Sequence, residues 1–212
     1  MAPFEGAALV GGASGAEFAV PFPVVALIAS AGGINALARV LAPLPAELPA
    51  AVLVSLHQSP GSPGRLAEIL ARRTRMAVRI AANGDGLRPG QVLVTAPGWH
   101  LLVTSQSRIG LIKADDLPPS RPSADLLLAT LAVTCGPRAL AVVLTGMGHD
   151  GQAGVRAVAH CGGTVIAQDQ ATSQFFSMPS AAIDTEQVSQ VLALDDIATA
   201  IIAHTMAATG NR

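Results

Sequence analysis

The sequence is poor in charged and aromatic residues. Charged side chains make up 13% of its 212 residues, the formal net charge is -1, and tyrosine is absent. Its 13 lysines and arginines form no basic block of the kind found on proteins that bind nucleic acids or membrane surfaces, so neither partner is expected. No apolar run is long enough to cross a bilayer and no basic leader opens the chain, which predicts a cytoplasmic protein without membrane insertion.

Cysteines and metal-ligand patterns are scarce as well. The two cysteines, Cys135 and Cys161, are expected to be reduced thiols. Histidine, cysteine and carboxylate residues never recur at the spacing of metal ligands, and Gly32-Gly33 fits neither common nucleotide-binding loop. The sequence therefore predicts no metal site and no cofactor.

Hydrophobic residues, in contrast, make up 50% of the chain, enough to fill a sizeable core. We expect one domain over residues 24–205, preceded by a flexible lead-in over 1–23 and followed by a frayed tail over 206–212.

Buried strands and amphipathic helices alternate along this domain. Continuous apolar runs predict buried strands at 24–29, 51–56, 139–144 and 164–167, with an edge strand at 188–193. Helices are predicted at 34–41, 65–73, 123–135, 152–161, 179–183 and 196–206. Four short runs at 78–80, 92–95, 101–104 and 109–113 are separated by turn residues and predict a small antiparallel meander. The pattern indicates an α/β fold with a doubly wound, mainly parallel sheet and an inserted antiparallel hairpin or meander.

Three polar residues stand just beyond buried strands of this sheet: Ser30, His57 and Asp150. Adjacent parallel strands would bring all three to one rim, where His57 can take a proton from Ser30 while Asp150 orients its imidazole. We therefore predict a Ser-His-Asp triad with Ser30 as the nucleophile. Each residue also has a simpler interpretation, since Ser30 and Asp150 are good helix caps and Asp169 is a rival orienting acid.

A glycine-rich turn follows two of these strands. The backbone N–H groups of Ala31 and Met147, one in each turn, are the predicted donors to an oxyanion. The order of the triad residues and the presence of Ile28 two positions before Ser30 differ from the nucleophile elbow of α/β-hydrolases, which indicates a different α/β fold.

An ordered set of motifs resembles the catalytic domain of the bacterial chemotaxis protein-glutamate methylesterases over residues 24–198. The motifs are Ser30-Ala31-Gly32-Gly33, the strand ending at His57, Leu87-Arg88-Pro89-Gly90, Arg121-Pro122-Ser123-Ala124-Asp125, Leu144 to Gly151, Ala167-Gln168-Asp169 and Ser177-Met178-Pro179. The resemblance implies that Ser30, His57 and Asp150 are the triad. It also implies hydrolysis of glutamate γ-methyl esters on the cytoplasmic helices of methyl-accepting chemoreceptors, with glutamine deamidation as related chemistry.

Some positions differ from the family pattern. Ile28 stands where glycine is usual, Gln58-Ser59 replaces a common Met-Pro, and Ser120 replaces a common histidine, so the cleft lining is expected to differ. Most members also carry an N-terminal receiver domain, and only a short lead precedes Val24. The resemblance then implies an enzyme that works alone, one controlled by a separate response regulator, or part of a longer protein.

Two other functions remain compatible with these residues. One is an esterase that acts on a different protein or small-molecule ester, as the altered surroundings of Ile28 and Gln58 would allow. The other is a non-catalytic module in which Ser30 is occluded and the chain docks to a receptor.

Overall fold

A computed structural model describes residues 20–59, 61–114 and 122–210. The first 19 residues of the expected lead-in, together with Ser120 and Arg121, lie outside these ranges. The strands are β1 (Val24–Ala29), β2 (Ala51–Leu56), β3 (Ala77–Ile80), β4 (Gln91–Val94), β5 (Trp99–Val103), β6 (Ile109–Lys113), β7 (Ala139–Val143), β8 (Thr164–Gln168) and β9 (Gln190–Leu192). The helices are α1 (Gly33–Leu41), α2 (Leu66–Ala71), α3 (Ala124–Cys135), α4 (Gln152–His160), α5 (Ser177–Ile183) and α6 (Ile197–Gly210).

The main sheet has seven strands in the order β3-β4-β2-β1-β7-β8-β9. Every pairing within it is parallel. The chain moves outward from β1 to β2 on one side and returns to β7 on the other, so β1 and β7 flank a topological switch point. The predicted doubly wound, mainly parallel sheet is confirmed.

Apolar side chains alternate between the two faces of this sheet. In β1, Val25 and Leu27 belong to a core that includes Leu37 of α1 and Leu70 of α2, whereas Val24, Ala26 and Ile28 face a second core. That second core includes buried residues of α3, α4 and the β5–β6 hairpin. Because both faces are covered, β1 and β2 are buried at every position and apolar at every position except Ser55, which explains why they were recognisable as nearly continuous apolar runs.

The expected four-stranded meander is wrong for β3 and β4. Only β5 and β6 pair antiparallel as strands, whereas β4 pairs in parallel with β2 and β3 in parallel with β4. The glycine-rich turn after β3 does not close a hairpin, because its backbone bonds to the β5–β6 hairpin instead, with Gly84 N–H donating to Ile109 and Leu87 N–H to Ser107. β3 is the edge strand of the sheet, and three of its four residues are exposed.

Smaller differences lie near the end of the chain. The last helix was expected to stop near Met206 but continues to Gly210. Both cysteines are free thiols, and burial raises the pKa of Cys135 to about 12, so this thiol is unreactive at neutral pH. Within the described ranges, no helix has the length and apolar character needed to cross a membrane.

Candidate active site

The site forms where three neighbouring strands end. Ala29 pairs with Leu56 in the β1–β2 register, so the next residues along the two strands, Ser30 and His57, follow at the same level. On the other side, Ser30 N–H donates to the carbonyl of Thr145, the second residue after β7, at 3.0 Å. Parallel pairing thus places the serine turn between the histidine strand and the loop that carries Asp150.

His57 is hydrogen-bonded to Asp150. Its Nε2 atom lies 2.8 Å from Asp150 Oδ2, and the two side chains are only 14% and 7% exposed. An ionised carboxylate can only accept, so Nε2 donates to Asp150 and the Nδ1 atom of a neutral His57 keeps its lone pair. The structure thus contains the expected contact between His57 and Asp150, and Nδ1 is the ring nitrogen left for a substrate or a serine.

Helix α3 holds the carboxylate of Asp150. The backbone N–H of Ala124 donates to Oδ2 at 2.7 Å, and that of Asp125 to Oδ1 at 3.2 Å. Burial alone would raise the pKa of Asp150, but the hydrogen bonds from His57 and from these two N–H groups outweigh it and leave the pKa below its usual value. Asp150 is therefore ionised at neutral pH, as an orienting carboxylate must be.

The simpler interpretation of Asp150, as the cap of the helix that follows it, is wrong. The cap residue of α4 is Gly151, with no side-chain hydrogen bond at the helix start, and Asp150 instead accepts from the first two N–H groups of α3, beside its N-cap residue Ser123. The N-terminus of α4 is served by Asp125, whose Oδ1 accepts from Gly154 N–H at 2.8 Å. Burial raises the pKa of Asp125, and the nearby charge of Asp150 adds to this effect. Asp150, which precedes α4, thus bonds to the start of α3, and Asp125, which belongs to α3, bonds to the first turn of α4.

Ser30 faces an open cavity of about 690 Å³. Its wall includes Ala31, His57, Gln58 and Gln174. Ser30 does not cap α1, because the cap residue is Gly32 and no side chain bonds to the helix start. The Oγ atom of Ser30 makes no hydrogen bond with a described residue, so the serine–histidine contact is not closed in this conformation. Catalytic hydrogen bonds often tighten only when substrate binds.

Backbone donors beside the serine are unpaired. Among the described residues, the N–H groups of Ala31, Gly32 and Met147 have no acceptor, whereas the two donors that flank Met147 are used. Gly146 N–H donates to Phe175 and Gly148 N–H to Ser177 Oγ. Unpaired amides at a strand-to-helix turn are suited to bind a developing oxyanion, as the sequence predicted for Ala31 and Met147.

Several supporting residues were missed by the sequence interpretation. Thr145 Oγ1 donates to the carbonyl oxygen of Ala31 at 3.1 Å and accepts from Phe175 N–H at 2.9 Å, which joins the serine turn to the loop at Phe175, 30 residues after Thr145. The fully buried Gln168 accepts from Thr145 N–H at 2.8 Å. His100, to which no chemistry was assigned, accepts the backbone N–H of Ser123 at the start of α3. No local pattern marks these long-range contacts.

Other candidates lie elsewhere. Asp169, the rival orienting acid, accepts hydrogen bonds from the backbone N–H and the hydroxyl of Thr172 in a local turn, and it makes no hydrogen bond with His57. Ile28 does not narrow the cavity, since it is fully buried in the core beneath Gly151. Gln58 does line the cavity, and its Nε2 atom is buried without a partner. His149 is exposed.

A family model described as CheB methylesterase matches residues 25–201 of the chain. The chain belongs to the CheB methylesterase family. The crystal structure of the CheB methylesterase catalytic domain of Thermotoga maritima superposes with a TM-score of 0.82 at 32% identity, covering 87% of this chain and 99% of that one. This likeness agrees with the sheet order and the inserted hairpin described above.

Curated relatives of the CheB family show the same likeness. A protein-glutamate methylesterase/protein-glutamine glutaminase of Moorella thermoacetica is 44% identical over 184 residues, which is 85% of this chain and 43% of that protein. The protein-glutamate methylesterase FrzG of Myxococcus xanthus is 38% identical over 182 residues, 86% of this chain and 54% of its own length. The chain thus spans about half the length of the curated relatives it matches.

Proposed function

We propose that this chain is a serine hydrolase that demethylates glutamate γ-methyl esters on the cytoplasmic helices of chemoreceptors, and that it can deamidate glutamine by the same route. The proposal is carried by the His57–Asp150 hydrogen bond at the strand ends, beside a serine that opens into the same cavity as His57. The names of the curated relatives supply the substrate class. Because the proposed substrate helices are cytoplasmic, we expect the reaction to take place in the cytoplasm.

The proposed first half-reaction transfers the acyl group to the enzyme. Ser30 Oγ attacks the ester carbonyl while His57 Nδ1 takes its proton, and Asp150 stabilises the imidazolium through Nε2–H. The N–H groups of Ala31 and Met147 bind the oxyanion of the tetrahedral intermediate. The carbon–oxygen bond to the methoxy group breaks, and methanol leaves with the proton that His57 holds.

Water completes the second half-reaction. His57 Nδ1 accepts a proton from water as its oxygen attacks the acyl-serine, and the proton then passes to Ser30 Oγ as the glutamate is released. With glutamine in place of the ester, the same steps release ammonia. The open cavity around Ser30 supports a catalytic site over an occluded docking module.

The test is methanol release from a methylated chemoreceptor. We expect the parent chain to release methanol and Ser30→Ala to lose nearly all of this activity, because no other nucleophile stands at this position. Ser59→Ala is the matched control, since this exposed serine lies two residues after His57 and its side chain makes no hydrogen bond to a described residue. No release by the folded parent would reject the methylesterase, and cleavage of a general activated ester would then indicate another ester substrate.

A further inference from the structure

The catalytic cavity continues as a groove between α1 and α2. We call this the α1–α2 groove and define it by Ile34, Ala38, Ala42, Ile69 and Arg73, all of which line the same cavity as Ser30. Ile34 and Ala38 of α1 and its C-cap residue Ala42 are spaced four residues apart and therefore share one face of the helix. At 1.5 Å per residue, they extend about 12 Å away from the serine turn.

The groove exposes apolar surface beside the serine. Ile34 is 46% exposed and Ile69 is 39% exposed, although both are large aliphatic residues on helices whose opposite faces fill the core. An amphipathic helix laid into such a groove would cover both side chains. A small soluble ester would cover neither, so the shape favours a helical protein substrate.

An unpaired arginine lies at the far end. Thr74 Oγ1 donates to the carbonyl of Leu41 at 2.8 Å, which fixes the residue next to Arg73 at the end of α1 that points away from Ser30. The guanidinium of Arg73 has no hydrogen bond or ion pair with a described residue. Arg39, the other arginine of the cavity wall, already has an ion-pair partner, since its Nη2 atom lies 2.5 Å from both carboxylate oxygens of Asp195.

We propose that the α1–α2 groove binds the helix of the protein substrate and that Arg73 recognises a carboxylate on it about two helical turns from the esterified glutamate. This inference rests on the proposed function and adds a specificity residue to it. Residues seven apart on a helix share a face and are separated by about 10.5 Å, which is close to the length of about 12 Å that the groove covers along α1 from Ile34 to Ala42. The positive charge of Arg73 therefore favours a bound helix that carries acidic side chains.

Binding is tested in a Ser30→Ala background, so that the probe is not consumed. The probe is a fluorescent amphipathic helix with a central glutamine and a glutamate seven residues away on each side. We expect Arg73→Ala to weaken binding about fivefold, less at high salt, and Arg73→Lys to retain most of it. Arg72→Ala is the matched control, because Arg72 is equally exposed and lies outside the cavity wall.

Replacing both flanking glutamates of the probe by alanine should weaken binding to the parent background and abolish the difference between the Arg73 variants. Equal binding by Arg73→Ala and Arg72→Ala would overturn the proposal. So would dimerisation lost in Arg73→Ala, which would assign the groove to a second copy of the chain. If the helix binds through Arg73 but the parent chain releases no methanol, the proposed methylesterase function is rejected and the groove proposal stands. If the parent chain releases methanol but Arg73→Ala binds the helix as well as the parent background does, the groove proposal is rejected and the methylesterase function stands.

Discussion

Gly146 controls the position of the proposed nucleophile. A Cβ atom at this residue would lie 2.7 Å from Ser30 Cβ and 2.7 Å from Met178 Sδ. Met178 can move its flexible side chain, but Ser30 is held by the backbone bond from its N–H to Thr145. The smallest possible side chain at position 146 must therefore displace the serine turn.

We expect Gly146→Ala to lower kcat about 100-fold, because a shift of about 1 Å at a reacting group costs that much. The measurement is methanol release at saturating receptor, with circular dichroism as the folding control. Gly86→Ala is the comparison, since nothing lies within 4 Å of a Cβ built there. Full activity of Gly146→Ala would mean that the serine turn is not held by this contact.

The proposed triad residues and the His57–Asp150 contact could be predicted from the sequence, but the helix to which Asp150 bonds could not. Ser30, His57 and Asp150 each follow an apolar run, which is a local signal. The direction in which Asp150 points depends on α3, whose first turn lies about 25 residues earlier in the chain. Local capping preference favoured the adjacent helix, and the tertiary contact decided otherwise.

At the scale of elements, two reciprocal carboxylate–backbone hydrogen bonds join the starts of α3 and α4. Asp150 from the loop before α4 bonds to the N-terminus of α3, and Asp125 from α3 bonds to the N-terminus of α4. The helices can approach because Gly154 leaves room for Leu128, where an added Cβ would lie 2.4 Å from the leucine Cβ. This pairing keeps Asp150 in place for His57.

We expect Asp125→Ala to lower the free energy of unfolding by about 1–2 kcal/mol, the usual cost of losing a cap. It should also slow hydrolysis, because the loop that carries Asp150 loses its anchor. Asp125→Asn keeps an oxygen acceptor and should stay close to the parent in both respects. Urea unfolding and methanol release measure the two effects, and an Asp125→Ala chain with unchanged stability would contradict the role of this cap.

For the short strands β3 and β4, the sequence pattern does not predict the pairing partners. β3 and β4 are four residues each, and their length and turn-rich surroundings suited a meander as well as a parallel sheet. Their partners are set by β2, which lies more than 20 residues earlier than β3. The β5–β6 hairpin was predictable because its two strands are close in sequence and pair with each other.

At the scale of the whole molecule, the sheet order assembles the site. β2, β1 and β7 are adjacent although β7 follows β1 by about 110 residues, and their carboxyl ends supply the histidine, the serine and the loop of the acid. Buried strands and alternating helices indicate a doubly wound sheet, whose ligands gather at such a switch point. The fold class was therefore predictable, while the extension of the cavity between α1 and α2 needed the structure.

The most direct test of the account compares methanol release by Ser30→Ala, His57→Ala and the double variant under identical conditions. If the two residues act as one unit, each single variant loses nearly all activity and the double variant is no slower than Ser30→Ala. If Ser30→Ala instead keeps substantial hydrolysis that His57→Ala further reduces, the histidine activates water directly. That result would contradict Ser30 as the nucleophile.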